Sequence, residues 1–307
     1  MIVVTGANGH LGRAVVEGLL TRLPADRIVA SVRDPSKAAA LAEKGVHVRS
    51  GDFAKPDSLA TTFAGAEQVL VVSPDKLGDE GRQLSRKAIE TARASGAGRL
   101  LYTSHMGTHA NSPFGDHAVI EAFLAELGTP FTSLRHGFYA ESAFYLIGRG
   151  FESGEIRAPE DGPVSWTARA DLAEADAIVL AEEGRLDGVT PPLTAQEAFT
   201  MADLAAIASE LTGREIKRVI VSDEEWLDLK LAEGVPRPVA EMLLGAYQAA
   251  RRGDFAAVDP TLEQLLGRRP LTMRDVFYTS RLPSFSDGSE SIGEDWEPGE
   301  YGSEPLP

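Results

Sequence analysis

Three evenly spaced glycines, Gly6-Ala7-Asn8-Gly9-His10-Leu11-Gly12, follow the apolar run Ile2-Val3-Val4 and open a segment of helical periodicity from Leu11 to Leu23. The chemistry this spacing serves is anion binding. Gly6 permits a tight strand-to-helix turn, Gly9 lets backbone approach a pyrophosphate with no side chain between, and Gly12 lets the helix close on the strand. The helix start then offers N–H groups and the positive end of its dipole to phosphate. With a strand before, a helix after and a second strand beyond, the expected ligand is a dinucleotide, touched by Gly6, Asn8, Gly9, His10, Leu11 and Gly12.

The second strand, Arg27 to Val32, ends in Arg33-Asp34. An acidic residue at this point binds the ribose 2′-hydroxyl of NAD, whereas an Arg accommodates the 2′-phosphate of NADP. Arg33 comes first, and Asp34 is expected to turn away or cap the helix that begins near Ser36. This favours NADPH and keeps NADH as the minor option. Asp52, with Phe53, follows the third strand and is placed either to accept from an adenine amino group or to make a turn. Ser73, Ser104 and Gly137 fall at or just beyond the ends of the fourth, fifth and sixth strands, where open α/β sheets bind ligands.

These positions must be held by a frame. Short apolar runs alternate with helical segments: Val46 to Val48, Gln68 to Val72, Arg99 to Thr103 and Phe131 to Leu134 are further strands, and Ser36 to Lys44 is a helix. Parallel neighbours need a crossover, usually a helix, so the fold class is α/β, a Rossmann-type doubly wound parallel sheet over residues 1–150. Residues 151–282 form a smaller, mainly helical C-terminal lobe, the substrate-binding part. Its helices are Ala170 to Glu182, Met201 to Thr212 (capped by Thr200 and stopped by Gly213), Ser222 to Glu233 with a Ser222/Glu225 capping box, Pro238 to Arg252 and Leu262 to Leu266. A strand is expected from Ile216 to Val221. Residues 283–307 carry seven acidic and no basic side chains, which predicts a disordered acidic tail, solvated and without a specific partner, with Trp296 and Tyr301 as the candidates should it dock weakly.

Composition narrows the partners. Thirty Lys and Arg against 46 Asp and Glu give a net charge of −16 over 307 residues, which repels phosphate backbones and makes nucleic acid a poor partner. Zero Cys removes disulfides, thiolate catalysis and Cys-ligated metals, and no metal site is expected from the six His. No apolar run approaches a membrane span, and the first strand starts straight after Met1 with no room for an export leader, so a cytoplasmic location is expected. A homodimer is left open.

The stretches Gly6 to Gly12, Val32-Arg33-Asp34, Gly51-Asp52, Tyr102-Thr103-Ser104, Leu134-Arg135-His136-Gly137-Phe138-Tyr139 and Ala170 to Ala173 resemble the NmrA-like branch of the atypical short-chain dehydrogenase/reductases, in particular its bacterial quinone and triphenylmethane reductases. The resemblance covers roughly residues 1 to 280. It implies an NAD(P)H-dependent oxidoreductase, and it places His117 and Glu121 where ordinary short-chain dehydrogenases carry the Tyr and Lys of Tyr-x-x-x-Lys. Carbonyl reduction by that pair is therefore not expected. A quinone-like acceptor needs only placement over the nicotinamide and a proton.

Glu121 lies one helical turn from His117 and is a candidate to hold or charge it. His136 is read as lying in the loop after the sixth strand, where the resemblance implies Asn beside the nicotinamide; a His there is expected to donate a proton or to restrict the acceptor's size, and His136, His117 and Tyr139 are the candidate catalytic residues. Phe138, Tyr139 and Phe144 are read as an aromatic wall for a planar acceptor. Gly107 to Pro113 is read as a flexible loop able to close over substrate, flanked by His105 and His109 with no visible partner. The rival functions are a non-catalytic NADP(H)-sensing regulator and a tailoring reductase for a polycyclic aromatic metabolite.

Overall fold

The computed structural model describes residues 1–280 apart from Leu77, Ala110, Arg149 and Glu183. The expected acidic tail, with Trp296 and Tyr301, lies outside the described residues. Seven parallel strands make the main sheet: β1 (Ile2–Val4), β2 (Ile28–Val32), β3 (His47–Ser50), β4 (Gln68–Val71), β5 (Arg99–His105), β6 (Phe131–His136) and β8 (Gly188–Val189), in the order β3-β2-β1-β4-β5-β6-β8. The order reverses between β1 and β4. That reversal opens a crevice at the carboxyl ends of these strands, where doubly wound sheets bind dinucleotides.

Helices α1 (His10–Leu20), α2 (Ala39–Glu43), α3 (Pro56–Phe63), α4 (Gly78–Ala94), α5 (Asp116–Glu126), α6 (Ser142–Ile147), α7 (Gly150–Ser153) and α8 (Arg169–Ala181) follow in chain order. In α1 the buried residues Leu11, Val15, Val16 and Leu19 form one stripe, each contributing about 1.5–3 kcal/mol by leaving water. The stripe packs into the same core as Leu172, Ala173 and Ala177 of α8. Gly18 allows that approach, since a Cβ there would stand 2.9 Å from the Ala177 methyl. On the other face, Val3, Val69, Leu100 and Tyr102 share a core with Ile89 of α4 and Ile120 of α5. The alternation of Val3 and Val4 between these two cores follows from the two-residue period of a strand.

The remaining elements are β7 (Glu155–Ala158), α9 (Met201–Thr212), β9 (Lys217–Ile220), α10 (Asp223–Ala232), α11 (Arg237–Arg251), α12 (Thr261–Leu266) and α13 (Met273–Thr279). β7 and β9 pair as a parallel two-stranded sheet, over a core that includes Trp166, Trp226, Phe255 and Phe277. α8 and β8 return to the main sheet.

Several boundaries differ from expectation. The helix expected over 36–44 is split into a 3-10 turn, Pro35–Ala38, and α2. β5 and β6 run two residues further than their apolar runs, ending with His105 and His136 in register; His136 is therefore a strand residue, not a loop residue. Of the polar residues in these extensions, Ser104 and Arg135 both donate to Glu121, and His136 meets Asp176. The Ser222 box is half formed. The Ser222 hydroxyl accepts from Glu225 N–H, but the Glu225 carboxylate turns to Arg157 at 2.9 Å. At Thr200 the reciprocal box with Asp203 is complete, and Gly213 caps the same helix in the left-handed conformation.

Candidate active site

The glycine loop has the geometry its spacing implies. Gly6 sits at φ +61°, and a Cβ on Gly12 would stand 2.5 Å from the Gly6 carbonyl oxygen. Gly9 is the N-cap of α1, which has neither a side-chain cap nor an acidic residue in its first turn. Among the described residues, no side chain caps this helix start, so its N–H groups are open to an anion. The loop is tied to both neighbouring strands. Thr5 Oγ1 donates to Leu70 O at 3.1 Å, and Asn8 Nδ2 donates to Asp34 O at 3.2 Å. Asn8 and His10 are exposed at the rim while Leu11 is buried.

At the end of β2, Asp34 accepts from Ser36 N–H at 3.0 Å and from the Ser36 hydroxyl at 2.7 Å. These bonds hold its carboxyl below the usual range. Arg33 is exposed beside it. These residues fit a 2′-phosphate, with the acidic neighbour engaged elsewhere and the guanidinium presented to solvent. Asp52 makes a turn contact, its Oδ1 accepting from Ala54 N–H at 3.0 Å, and Phe53 packs on the core beneath.

Beyond the crevice lies a cleft lined by Ser73, Ser104, His105, Phe114, His117, Phe138, Tyr139, Ser142 and Leu146, closed from the C-terminal part by Met242, Leu243 and Ala246 of α11. Ser73 is oriented by Thr103, whose Oγ1 lies 3.1 Å from the Ser73 hydroxyl. His105 stacks on Phe114 at 3.9 Å between ring centroids and meets Phe138 and Phe255 edge-on. Burial holds the His105 imidazole well below its ordinary pKa, with His117 and His136 adding to that effect. His105 was left without a role by its sequence context, because nothing local marks it. Only the register of β5 and the fold of the α5 entry bring Phe114 against it.

His117 lines the cleft but does not take Glu121. Its Nδ1 lies 2.8 Å from the Tyr102 hydroxyl, and burial lowers its pKa to about 4. Glu121 instead binds Arg135, Ser104 and Ser133. His136 is 1% exposed, and its Nε2 lies 2.9 Å from Oδ1 of the fully buried Asp176. It stands behind Tyr139, not in the cleft wall. Of the three expected wall aromatics, Phe138 and Tyr139 line the cleft, while Phe144 packs on Phe151 and Phe277. Gly137 is a packing glycine: its N–H donates to Leu193 O at 2.8 Å, and a Cβ would stand 2.3 Å from Thr167 Oγ1.

The segment 107–113 is tied down at its described residues. His109 Nε2 lies 3.0 Å from Asp254 Oδ2, and Arg252 donates to Asn111 O at 3.0 Å. Gly107 packs so closely on Phe255 that a Cβ would stand 2.3 Å from its ring. His109 thus has a partner. No helix among the described residues is long and apolar enough to cross a membrane.

A sheet reversing at a glycine loop, with an open cleft beside it, defines a dinucleotide-binding Rossmann protein. The comparisons carry this further. A family model described as NAD(P)H-binding matches residues 6–137. Quinone oxidoreductase 2 of Escherichia coli is 34% identical over 280 residues, covering 90% of this chain and 96% of that one. The crystal structure of an NADPH-dependent quinone oxidoreductase from Escherichia coli, complexed with NADPH, superposes with a TM-score of 0.86 at 31% identity, over 91% of this chain and 99% of that one. Citrobacter sp. triphenylmethane reductase, solved with NADP(H), gives 0.85 at 32% identity over 91% and 100%. The chain belongs to the NAD(P)H-binding, NmrA-like family.

Proposed function

We propose that this chain is an NADPH-dependent oxidoreductase that reduces a quinone-like or other conjugated, planar acceptor by hydride transfer. Residues 1–150 hold the dinucleotide and residues 151–282 close over the acceptor. The nicotinamide, when bound, supplies the hydride. Gly6 to Gly12 hold the pyrophosphate at the start of α1, with Asn8 and His10 at the rim and Leu11 anchoring the helix. Arg33 binds the 2′-phosphate, so NADPH is preferred and NADH is the weaker cofactor. Asp52 and Phe53 bound the adenine end, and Ser73 and Ser104 border the nicotinamide end, with Gly137 shaping the turn beneath.

The observation that carries this reading is the character of the cleft. Phe114, Phe138 and Tyr139 give it aromatic walls, and its two imidazoles, His105 and His117, are both held towards the neutral form by burial. Such walls favour a flat, conjugated acceptor over an anionic sugar phosphate. Tyr139 and His117 face that acceptor as the nearest proton carriers, and His136 acts from behind Tyr139.

The test measures NADPH binding by fluorescence and then follows NADPH absorbance with a panel of quinones and one cationic triphenylmethane dye. Oxidation above the rate without protein is expected with the quinones. Tight binding without turnover across the panel would overturn the reading in favour of a cofactor-sensing regulator. Turnover confined to polycyclic aromatic substrates would make the protein a tailoring reductase.

A further inference from the structure

Asp176 is fully buried on α8, its Oδ1 lies 2.9 Å from His136 Nε2, and its Oδ2 has no hydrogen-bond partner. On the other side of the imidazole, His136 Nδ1 lies 3.4 Å from the Tyr139 hydroxyl. Tyr139 lines the cleft. A carboxylate, an imidazole and a phenol thus run in sequence from the core to the cleft.

We propose that Asp176, His136 and Tyr139 form a proton relay in which Tyr139 protonates the reduced acceptor and His136, positioned by Asp176, restores the Tyr139 proton. The relay rests on the reductase reading above and names its proton donor.

A buried carboxylate–imidazole pair left with net negative charge is costly, and one additional proton makes it neutral. Burial raises the Asp176 pKa, with His136 opposing that rise, which is the direction that retains such a proton. A proton on Oδ2 would have no acceptor, so the extra proton belongs in the Nε2···Oδ1 hydrogen bond. Nδ1 then keeps its N–H and donates it to the Tyr139 oxygen, leaving the phenolic hydrogen free to point into the cleft.

Once the acceptor has gained its hydride, the Tyr139 O–H bond breaks and an O–H bond forms on the acceptor oxygen. The His136 Nδ1–H bond then breaks as the Tyr139 O–H bond reforms. The Asp176–His136 pair regains its proton from solvent between turnovers. The other charged or titratable groups facing the relay are His105, the register partner of His136 on β5, His117 on α5, Glu141, and Arg169. The Arg169 guanidinium stands 5.0 Å from the Tyr139 ring centroid. It favours the transient phenolate and so takes the part of a cation beside a donating phenol.

The experiment combines a spectrum and a cycle of variants. In the full-length protein with 15N-labelled histidine, the His136 Nε2 signal is expected to report a shared, strongly deshielded proton that Asp176→Asn abolishes. In quinone reduction, Tyr139→Phe is expected to lower kcat about a hundredfold and to remove the solvent deuterium isotope effect on kcat. Asp176→Asn is expected to lower kcat about tenfold, and the double variant to be no slower than Tyr139→Phe alone, because both act on one transfer. NADPH dissociation constants should stay within about twofold of wild type. Tyr139→Phe removes a single oxygen from the cleft wall and carries the test if the buried variant does not fold. The relay is overturned if Asp176→Asn leaves the His136 spectrum unchanged, if the two losses multiply, or if Tyr139→Phe keeps its isotope effect. A wild-type protein that reduces no acceptor overturns the reductase reading, and an absent shared proton overturns the relay whatever the turnover.

Discussion

Glu121 on α5 receives two hydrogen bonds from the Arg135 guanidinium, Nε to Oε1 at 2.9 Å and Nη2 to Oε2 at 2.6 Å. Ser104 and Ser133 also donate to Oε1. This leaves His117, one turn earlier on the helix, to Tyr102. The carboxylate is nearly buried, with a side-chain exposure of 6%. Replacing it with Ala strands the guanidinium and two hydroxyls without their acceptor. Glu121→Ala should destabilise the protein by about 3 kcal/mol, read as a lower denaturant midpoint. An unchanged midpoint would mean that the pair adds nothing to stability.

Gly12 is a position where nothing can yield. A Cβ there would stand 2.5 Å from Gly6 O, 2.8 Å from Gly6 C and 2.9 Å from Thr5 O, all backbone atoms of the cofactor loop. Gly12→Ala should cost about 2–3 kcal/mol by overpacking and weaken NADPH binding as the loop shifts. Isothermal titration beside a melting curve would check both. Retention of wild-type affinity would show that the loop can give way without losing its function.

Arg33 is the residue proposed to separate the two cofactors. Asp34 is occupied by Ser36, which on this proposal leaves the contact that distinguishes a 2′-phosphate from a hydroxyl to Arg33. Loss of one charge-assisted contact of about 1.5–3 kcal/mol corresponds to roughly a tenfold to hundredfold change in affinity. Arg33→Ala should raise the NADPH dissociation constant by that factor and leave NADH within about twofold. Equal weakening of both cofactors would place Arg33 elsewhere on the dinucleotide.

His117 makes the protein sensitive to acid. Burial takes its pKa from an ordinary 6.5 to about 4, so between these values the unfolded chain binds a proton that the folded chain refuses. Stability is therefore complete above pH 6.5 and falls as the pH drops towards 4, by on the order of 3 kcal/mol from this residue. His105, lowered in the same direction, adds to the fall. Denaturant midpoints from pH 8 to pH 4 should drop less steeply for His117→Asn than for wild type. Parallel curves would assign the acid loss to other groups.

How much of this was legible in the residues varies with the range over which each feature is determined. The glycine loop, the alternation of strand and helix, and the Thr200 and Gly213 ends of α9 were readable because turn geometry, apolar periodicity and capping act within a few residues. The turning away of Asp34 was readable for the same reason, since its partner Ser36 is two residues on. The ends of β5 and β6 were not. Polar residues continue those strands because groups distant in the chain meet them: Glu121 takes Ser104 and Arg135, Asp176 takes His136, and Phe114 stacks on His105.

The site divides in the same way. The dinucleotide crevice follows from local sequence, because a backbone that must approach phosphate declares itself through glycine. The aromatic cleft was decided by tertiary packing. Glu121 was drawn to Arg135 and not to His117, Phe144 was taken by Phe151 and Phe277, and His105 was stacked on Phe114. His136 was placed on Asp176, forty residues further along the chain. Hydrogen bonds and ring contacts across such separations depend on where the strands and helices meet in space, and no spacing along the chain encodes that meeting.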